Sequence, residues 1–197
     1  MVLPEIVRKY PKLREWFTTP FVKDINQDAL TWISFLIAIF AGYLFSQDLL
    51  LYGSIAVALS AYLDVLDGDI ARKFKRASKF GDFLDHSLDR LSDLAILIGI
   101  GLSSFVDLNL ALGTYIAVLL VSYMGTQAHA LTEKRLYDGL LGRGDRMALF
   151  FIGGVLSSYT PYLINYFVWA MLILSIITFM QRFAAVWGLL KQNIKKS

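Results

Sequence analysis

Long apolar segments separated by short polar connections dominate this 197-residue sequence. Only α-helices and closed β-barrels satisfy their backbone hydrogen bonds inside a bilayer, and an apolar run of about 18 or more residues is typical of a spanning helix. The candidate spans are 29–46, 49–65, 84–105, 110–131, 147–158 and 162–190. The fifth is short by the same criterion. We therefore predict an all-α integral membrane protein with six transmembrane helices.

Lysine and arginine residues alternate between the connections. They precede the first span, lie between spans two and three and between spans four and five, and follow the sixth. The connections 47–48, 107–109 and 159–161 contain none. Because basic residues are enriched in cytoplasmic loops, this alternation predicts that both termini lie in the cytoplasm.

The spans divide the chain into three segments. We expect an N-terminal juxtamembrane segment at 1–28, a six-helix membrane domain at 29–191 and a basic C-terminal tail at 192–197. Residues 4–24 mix apolar and basic side chains, which is typical of a helix in the membrane interface. A solvated leader is the alternative, and Pro11 and Pro20 argue against one unbroken helix.

Composition excludes several classes of function. The chain is 56% hydrophobic and 18% charged, which is more apolar than a soluble domain. It contains no cysteine, so disulfides, zinc–thiolate sites and thiol catalysis are excluded. A formal net charge of +3 is too small to indicate nucleic acid as a partner. The partner that composition does indicate is the lipid bilayer.

Acidic residues are concentrated around the second and third spans. Seven aspartates lie between positions 64 and 93: Asp64, Asp67, Asp69, Asp82, Asp85, Asp89 and Asp93. An aspartate near the centre of a membrane helix costs about 2.5–3.5 kcal/mol, so such residues are usually functional and face a cavity. Asp64 and Asp67 are three residues apart, and Asp85 and Asp89 are four apart, so each pair shares a helix face.

Antiparallel packing of the second and third helices would direct these two pairs of carboxylates toward one point. Like charges at that distance destabilise one another unless a cation neutralises them. Mg²⁺, Mn²⁺ and Ca²⁺ bind carboxylate oxygens, and Mg²⁺ often completes its shell with phosphate oxygens. The basic residues at 72–79 suit a phosphorylated ligand at the same membrane face. Gly68 permits close approach of a ligand, and Gly81 is expected to end the loop before the third helix.

Other charged residues have simpler interpretations. We expect Asp82 to be exposed at the N-terminus of the third helix, where aspartate is favoured. Asp93 is expected to pair with Arg90, three residues earlier. His86 lies on a different azimuth from the aspartate pair and is not expected to bind metal. Arg182, inside the last span, has two interpretations: it reaches the ligand pocket, or it extends toward the cytoplasmic interface, which we favour.

The aspartates belong to a longer pattern. It reads Asp64-x-x-Asp67-Gly68-x-x-Ala71-Arg72, eight residues, Gly81-x-x-x-Asp85-x-x-x-Asp89. This pattern resembles the signature of the CDP-alcohol phosphotransferases, integral-membrane enzymes that make phospholipids from CDP-activated lipid. Every fixed position of the signature is met, and the six spans also resemble that family.

The resemblance implies a displacement at phosphorus. The metal ligands would be Asp64, Asp67, Asp85 and Asp89, which hold two Mg²⁺ or Mn²⁺ ions on the diphosphate of the CDP-lipid. Asp89 would also take the proton from the acceptor hydroxyl, which attacks the lipid-linked phosphorus and releases CMP. The resemblance assigns nucleotide binding to Asp28, Thr31, Gly68, Ala71, Arg72 and Ser78. It further implies a homodimer in the cell membrane with its active site at the cytoplasmic face.

The acceptor site is expected at the fourth and fifth spans. The sequences 122–130 and 141–146 resemble archaeal members of the family, which make archaetidyl lipids from CDP-archaeol. The resemblance implies CDP-archaeol or CDP-diacylglycerol as the lipid substrate and inositol phosphate or glycerol phosphate as the acceptor. Arg143 and Arg146 would bind the acceptor phosphate. Gly125 and Gln127 depart from the family pattern, because members using these acceptors often carry basic residues there.

A divalent-cation transporter or channel is the alternative function, since a carboxylate cluster can also mark an ion pathway. A transport route needs polar groups that continue to the far side of the membrane. The outer halves of the predicted helices are nearly uncharged. This distribution favours the enzyme.

Overall fold

A computed structural model describes residues 25–76, 78–132 and 139–194. These residues form six α-helices: α1 (Gln27–Ser46), α2 (Leu50–Lys73), α3 (Lys79–Gly101), α4 (Leu108–Thr132), α5 (Arg143–Ser157) and α6 (Leu163–Ile194). The predicted all-α class is confirmed, and each helix overlaps one predicted span. The interfacial segment expected at 4–24 and the end of the basic tail at 195–197 lie outside the described residues.

Four of the described helices, α1, α2, α4 and α6, are long and apolar enough to cross a membrane. Helix α5 has 15 residues. Its length is therefore about 22 Å, less than the roughly 30 Å of a hydrocarbon core. Helix α3 has 23 residues, but charged side chains occupy its first half. These two helices contribute most of the charged side chains of the site described below.

Local hydrogen bonds place the ends of α2 and α3 differently from the prediction. The Ser78 hydroxyl accepts a hydrogen bond from the Gly81 amide at 2.9 Å and caps α3, which begins at Lys79 rather than at residue 84. Gly81 therefore lies inside α3 and does not end the loop. Helix α2 continues to Lys73, past the predicted end at residue 65. The prediction failed because hydropathy falls at the aspartates while helical hydrogen bonding continues.

The helices form a ring in the order α1, α2, α5, α6, α4, α3. Direct packing of α2 on α3 was expected, but in the described residues both pack mainly on α1, which lies between them. Every helix contributes to the apolar core of the ring through residues such as Phe45, Val57, Ile96, Val118, Phe150 and Met171. Helix α1 therefore sets the separation of the two aspartate-bearing helices.

A glycine contact brings α1 and α3 close together. A Cβ atom at Gly99 would lie 2.5 Å from the Cα of Gly42, and a Cβ at Gly42 would collide with the carbonyl of Ala95. The two backbones therefore touch, and no larger residue fits at either position. The contact therefore packs the C-terminal parts of α1 and α3 tightly together.

Hydrogen bonds between connections show which loops share an end of the ring. Asp48, in the α1–α2 connection, accepts hydrogen bonds from the Ser104 amide at 2.9 Å and the Ser104 hydroxyl at 2.6 Å, in the α3–α4 connection. At the other end, the Gln27 side-chain amide donates to the Arg76 carbonyl at 3.2 Å. The connections without basic residues and the basic α2–α3 connection therefore lie at opposite ends.

Candidate active site

Three of the predicted metal ligands come together at the basic end of the ring. Asp64 and Asp67 lie one turn apart on α2, and Asp85 lies near the start of α3. Each offers a carboxylate oxygen, and these oxygens all lie within 4.8 Å of one another. Asp67 is 7% exposed, and the other two are partly buried. This cluster brings together carboxylates from two helices that are separated by α1.

The fourth predicted ligand, Asp89, joins the cluster through an arginine. Arg143, the first residue of α5, directs Nη1 to Asp64 Oδ2 at 2.5 Å and Nη2 to Asp89 Oδ1 at 2.7 Å. One guanidinium group therefore connects α2, α3 and α5. Forked, charge-assisted contacts of this kind fix geometry as well as charge.

The cluster has the donor set of a divalent-cation site. The four carboxylates carry four negative charges when all are ionised, and the guanidinium group of Arg143 contributes one positive charge. Three negative charges therefore remain unbalanced. Mg²⁺ binds oxygen at 2.0–2.1 Å, so ligands on opposite sides of one ion are about 4.2 Å apart. The spacing of the Asp64, Asp67 and Asp85 oxygens is compatible with that distance. The residues therefore fit a hard cation.

His86 belongs to a second group with ligand spacing. The ligand atoms of Asp85, His86 and Asp89 lie within 4.8 Å of one another. The His86 Nδ1 atom is 3.6 Å from Asp85 Oδ2. The prediction gave His86 no metal role because adjacent residues on a helix point in different directions. Its imidazole nevertheless lies beside the aspartate quartet.

Helix α1 orients the most buried aspartate. The Thr31 hydroxyl lies 2.7 Å from Asp67 Oδ2 and donates a hydrogen bond to it. Both side chains are buried. Thr31 therefore fixes the orientation of the Asp67 carboxylate, as groups that surround a metal site often do.

A small cavity of about 170 Å³ opens on one side of the aspartates. Asp67 and Asp85 line it together with all six residues predicted to bind nucleotide: Asp28, Thr31, Gly68, Ala71, Arg72 and Ser78. Arg72 pairs with Asp69 at 2.8 Å, and a Cβ atom at Gly68 would lie 3.3 Å from Arg72 Nη2. The glycine therefore leaves room for the guanidinium group beside the cavity.

A larger cavity of about 410 Å³ lies on the other side, among α3, α4, α5 and α6. Its polar lining includes His86, Asp89, Ser122, Thr126, His129, Arg143, Arg146 and Arg182. Both predicted acceptor-binding arginines therefore border this cavity. Among the described residues, the Nε atoms of Arg143 and Arg146 are buried without a hydrogen-bond acceptor. The cavity is therefore lined by positive charge.

Asp93 pairs with Arg146 rather than with Arg90. Arg146 Nη2 lies 2.6 Å from Asp93 Oδ2, and the two residues are 5% and 1% exposed. Arg90 instead donates from Nη1 to the carbonyl oxygen of His86. Long helical side chains point toward the N-terminus of their helix, so Arg90 turns back along α3 while Asp93 faces the ring interior. The predicted Arg90–Asp93 pair is wrong for this reason.

Arg182 does not reach toward the membrane interface, contrary to the prediction. It is 5% exposed, and its Nη1 donates a hydrogen bond of 2.7 Å to the Val121 carbonyl on α4. A Cβ atom at Gly125 would lie 3.0 Å from Arg182 Nη1. The guanidinium group of Arg182 therefore lies beside position 125, where family members often carry a basic residue of their own. The sequence signal for a position at the cavity was that Arg182 is a charged residue inside an apolar span.

The comparisons with known proteins agree with the aspartate pattern. The family profile described as CDP-alcohol phosphatidyltransferase matches residues 27–181. The chain is 38% identical over 158 residues to the archaetidylinositol phosphate synthase of Pyrococcus horikoshii, covering 80% of this chain and 81% of that protein. It is 34% identical over 166 residues to the archaetidylinositol phosphate synthase of Methanothermobacter thermautotrophicus, covering 83% and 84%.

The fold is also that of a solved structure. The crystal structure of Mycobacterium tuberculosis phosphatidylinositol phosphate synthase with CDP-DAG bound has a TM-score of 0.75 at 23% identity, covering 94% of each chain. The structure of the same protein in complex with manganese and citrate has a TM-score of 0.74, covering 93% of this chain and 88% of that chain. Taken with the profile match and the archaeal relatives, these likenesses show that the chain belongs to the CDP-alcohol phosphatidyltransferase family of multi-pass membrane enzymes, which transfer phosphate-containing groups.

Proposed function

We propose that this enzyme transfers an archaetidyl phosphate group from CDP-archaeol to a hydroxyl of inositol phosphate and releases CMP. The observation that carries the proposal is that two cavities meet at the aspartates. Asp67 and Asp85 line the cavity that contains the predicted nucleotide residues, and Asp89 lines the cavity that contains four arginines. The names of the archaeal relatives support the acceptor and the lipid. Glycerol phosphate and CDP-diacylglycerol are the competing substrates.

The metal site would hold two Mg²⁺ or Mn²⁺ ions through Asp64, Asp67, Asp85 and Asp89. The spacing of the first three carboxylates and the excess negative charge support this assignment. When bound, divalent cations supply charge neutralisation at the diphosphate and at the leaving phosphate. The carboxylate of Asp67 is already oriented by Thr31 for binding.

Asp89 is the proposed general base. It lies between the metal cluster and the larger cavity, so its carboxylate can reach a hydroxyl there. The hydroxyl oxygen forms a bond to the lipid-linked phosphorus, its proton moves to Asp89, and the bond from that phosphorus to the CMP oxygen breaks. Arg143 holds the Asp89 carboxylate at 2.7 Å and keeps it directed into the site.

The phosphate of the acceptor would bind at Arg143, Arg146 and Arg182. Guanidinium groups suit phosphate because their planar fork donates two parallel hydrogen bonds. The position of these three guanidinium groups along one cavity supports an anionic ligand there. Arg182 was not part of the predicted acceptor site, and its place along the same cavity adds it to the proposal.

We propose further that all six helices cross the bilayer, with the termini and the active site at the cytoplasmic face. The charged side chains of α3 and α5 are compatible with a bilayer because they pair with one another inside the ring, away from lipid. The pairs are Asp89–Arg143 and Asp93–Arg146. The membrane domain would cover 29–191, between the juxtamembrane segment 1–28 and the tail 192–197. The enzyme would act as a homodimer, as the family resemblance implies.

Single introduced cysteines test the topology, because the chain has none of its own. In intact cells, a membrane-impermeant maleimide should label Gln47→Cys and Thr160→Cys, in exposed connections without basic residues. It should label Lys73→Cys and Leu140→Cys only after permeabilisation. Labelling of all four in intact cells, or the reverse pattern, would contradict the proposed orientation.

Release of CMP from purified enzyme tests the reaction. With CDP-archaeol and Mg²⁺, inositol phosphate should be the best acceptor. Free inositol, which lacks the phosphate, should react about 100-fold more slowly because the buried arginines lose their partner. Serine should give no CMP.

The same assay with other substrates distinguishes the alternative acceptors and lipids. Glycerol phosphate and CDP-diacylglycerol replace one substrate at a time and identify the preferred acceptor and lipid. Equal rates with inositol and inositol phosphate would rule out the arginine assignment. Cation flux into proteoliposomes without CMP release would favour the transporter alternative.

Replacement of Asp89 tests the general base. Asp89→Asn should lower the rate of CMP release by about 10²–10⁴-fold, because the amide cannot accept the proton. Binding of CDP-archaeol, measured by calorimetry, should change little because Asp64, Asp67 and Asp85 remain.

Asp107→Asn is the matched control. Asp107 is exposed at the start of α4, where its Oδ1 accepts a hydrogen bond from the Asn109 amide at 2.8 Å, and asparagine can make the same contact. Its rate should equal that of the wild type. A near-normal rate for Asp89→Asn would show that another group takes the proton.

A further inference from the structure

We propose that Asp93 is a positioning residue for the acceptor: its carboxylate holds Arg146, and with it the first turn of α5, at the larger cavity. The inference rests on the proposed function and deepens it at the same site. Asp93 lies outside the Asp64–Asp89 pattern, and neither metal binding nor proton transfer uses it. A fully buried carboxylate with no such use requires another explanation.

The geometry links Asp93 to the site through one partner. Asp93 follows Asp89 by one turn of α3, so both carboxylates lie on the same face of that helix. Asp93 Oδ2 contacts Arg146 Nη2 at 2.6 Å, and neither residue is more than 5% exposed. Arg146 in turn lines the larger cavity.

Two parallel ion pairs therefore join α3 to α5. Asp89 and Asp93 are four residues apart on α3, and Arg143 and Arg146 are three apart on the first turn of α5. Asp89 contacts Arg143, and Asp93 contacts Arg146. The two pairs fix the rotation and the height of the α5 terminus relative to the proposed general base.

The charge of Asp93 matters beyond packing. Well-packed apolar residues could hold two helices together equally well, so a buried ion pair by itself is weak evidence for a role in stability. Without the Asp93 charge, Arg146 would be an uncompensated buried cation beside the larger cavity. Its guanidinium group would then no longer be held in the direction of the cavity.

Arg146 also retains hydrogen-bonding capacity for a ligand. In the described part of the chain, the Nε of Arg146 is buried and has no hydrogen-bond acceptor. The second carboxylate oxygen of Asp93 is also buried and has no donor. The ion pair thus uses only part of the guanidinium fork. Because Arg146 lines the larger cavity, the donors that face the cavity are available to phosphate oxygens, whereas the buried Nε is not.

The test is a double-mutant cycle on the detergent-solubilised, full-length enzyme. Asp93→Asn preserves the shape of the side chain and removes its charge. It should raise the KM for inositol phosphate by about tenfold or more, with kcat within about threefold and the KM for CDP-archaeol unchanged. Arg146→Gln should have the same signature, and the double variant should be no worse than Arg146→Gln alone.

Asp48→Asn is the control, because Asp48 also joins two connections but at the opposite end of the ring. Its KM for inositol phosphate should equal that of the wild type. Binding of inorganic phosphate, measured by calorimetry, gives a readout that does not require turnover. Asp93→Asn should weaken that binding by the same factor as it raises the acceptor KM.

Three results would overturn the inference. These are additive effects in the double variant, equal losses in kcat and in affinity for both substrates, and phosphate binding unchanged by Asp93→Asn. If Asp93→Asn does not fold, Arg146→Lys retains the charge beside Asp93, and unchanged phosphate binding by that variant would also overturn it. Absence of CMP release by the wild type would refute the proposed function alone, because the phosphate measurement still tests Asp93.

Discussion

A carboxylate can lie at membrane depth only where another charge compensates it, and this requirement organises the basic end of the ring. Asp64, Asp89 and Asp93 are held by two arginines of α5, the shortest described helix. The N-terminus of α5 is thereby drawn between α2 and α3. Apolar residues from every helix form the core of the ring, and a glycine contact packs α1 against α3.

This arrangement separates two cavities by one cluster of acidic groups. The cavity beside α1 contains the predicted nucleotide residues, and the cavity beside α4 and α6 contains four arginines. For the proposed reaction, one substrate would enter from each side and the reacting atoms would meet at Asp85 and Asp89. Family membership establishes the class of reaction, whereas the division of roles between the cavities is our proposal.

The sequence was most informative where the interactions are local. Apolar runs located all six helices, and i, i+3 and i, i+4 spacing identified the aspartates that share a helix face. All six residues that the family resemblance assigns to the nucleotide line one cavity. Gly68, Ala71 and Arg72 belong to the signature itself, whereas Asp28 and Thr31 come from α1. The start of α3 was missed by five residues, because Ser78 caps a turn that a hydropathy pattern cannot detect.

Interactions across the ring could not be predicted in the same way. The pairs Asp64–Arg143 and Asp93–Arg146 join residues 79 and 53 positions apart, and they depend on the order of helices in the ring. Arg182 reaches the cavity because Gly125 lies opposite it on another helix. Asp64, Asp93 and Arg182 were visible as charges inside predicted spans. Arg143 and Arg146 were visible only as basic residues before the fifth span, and the partner of each charge could not be predicted.

The central claim is that four carboxylates from α2 and α3 share divalent ions. Anomalous diffraction from crystals grown with Mn²⁺ tests it most directly, because the signal locates manganese independently of the protein coordinates. The account predicts strong anomalous peaks bounded by Asp64, Asp67, Asp85 and Asp89. Peaks elsewhere on the molecule, with none among these four side chains at saturating Mn²⁺, would contradict it.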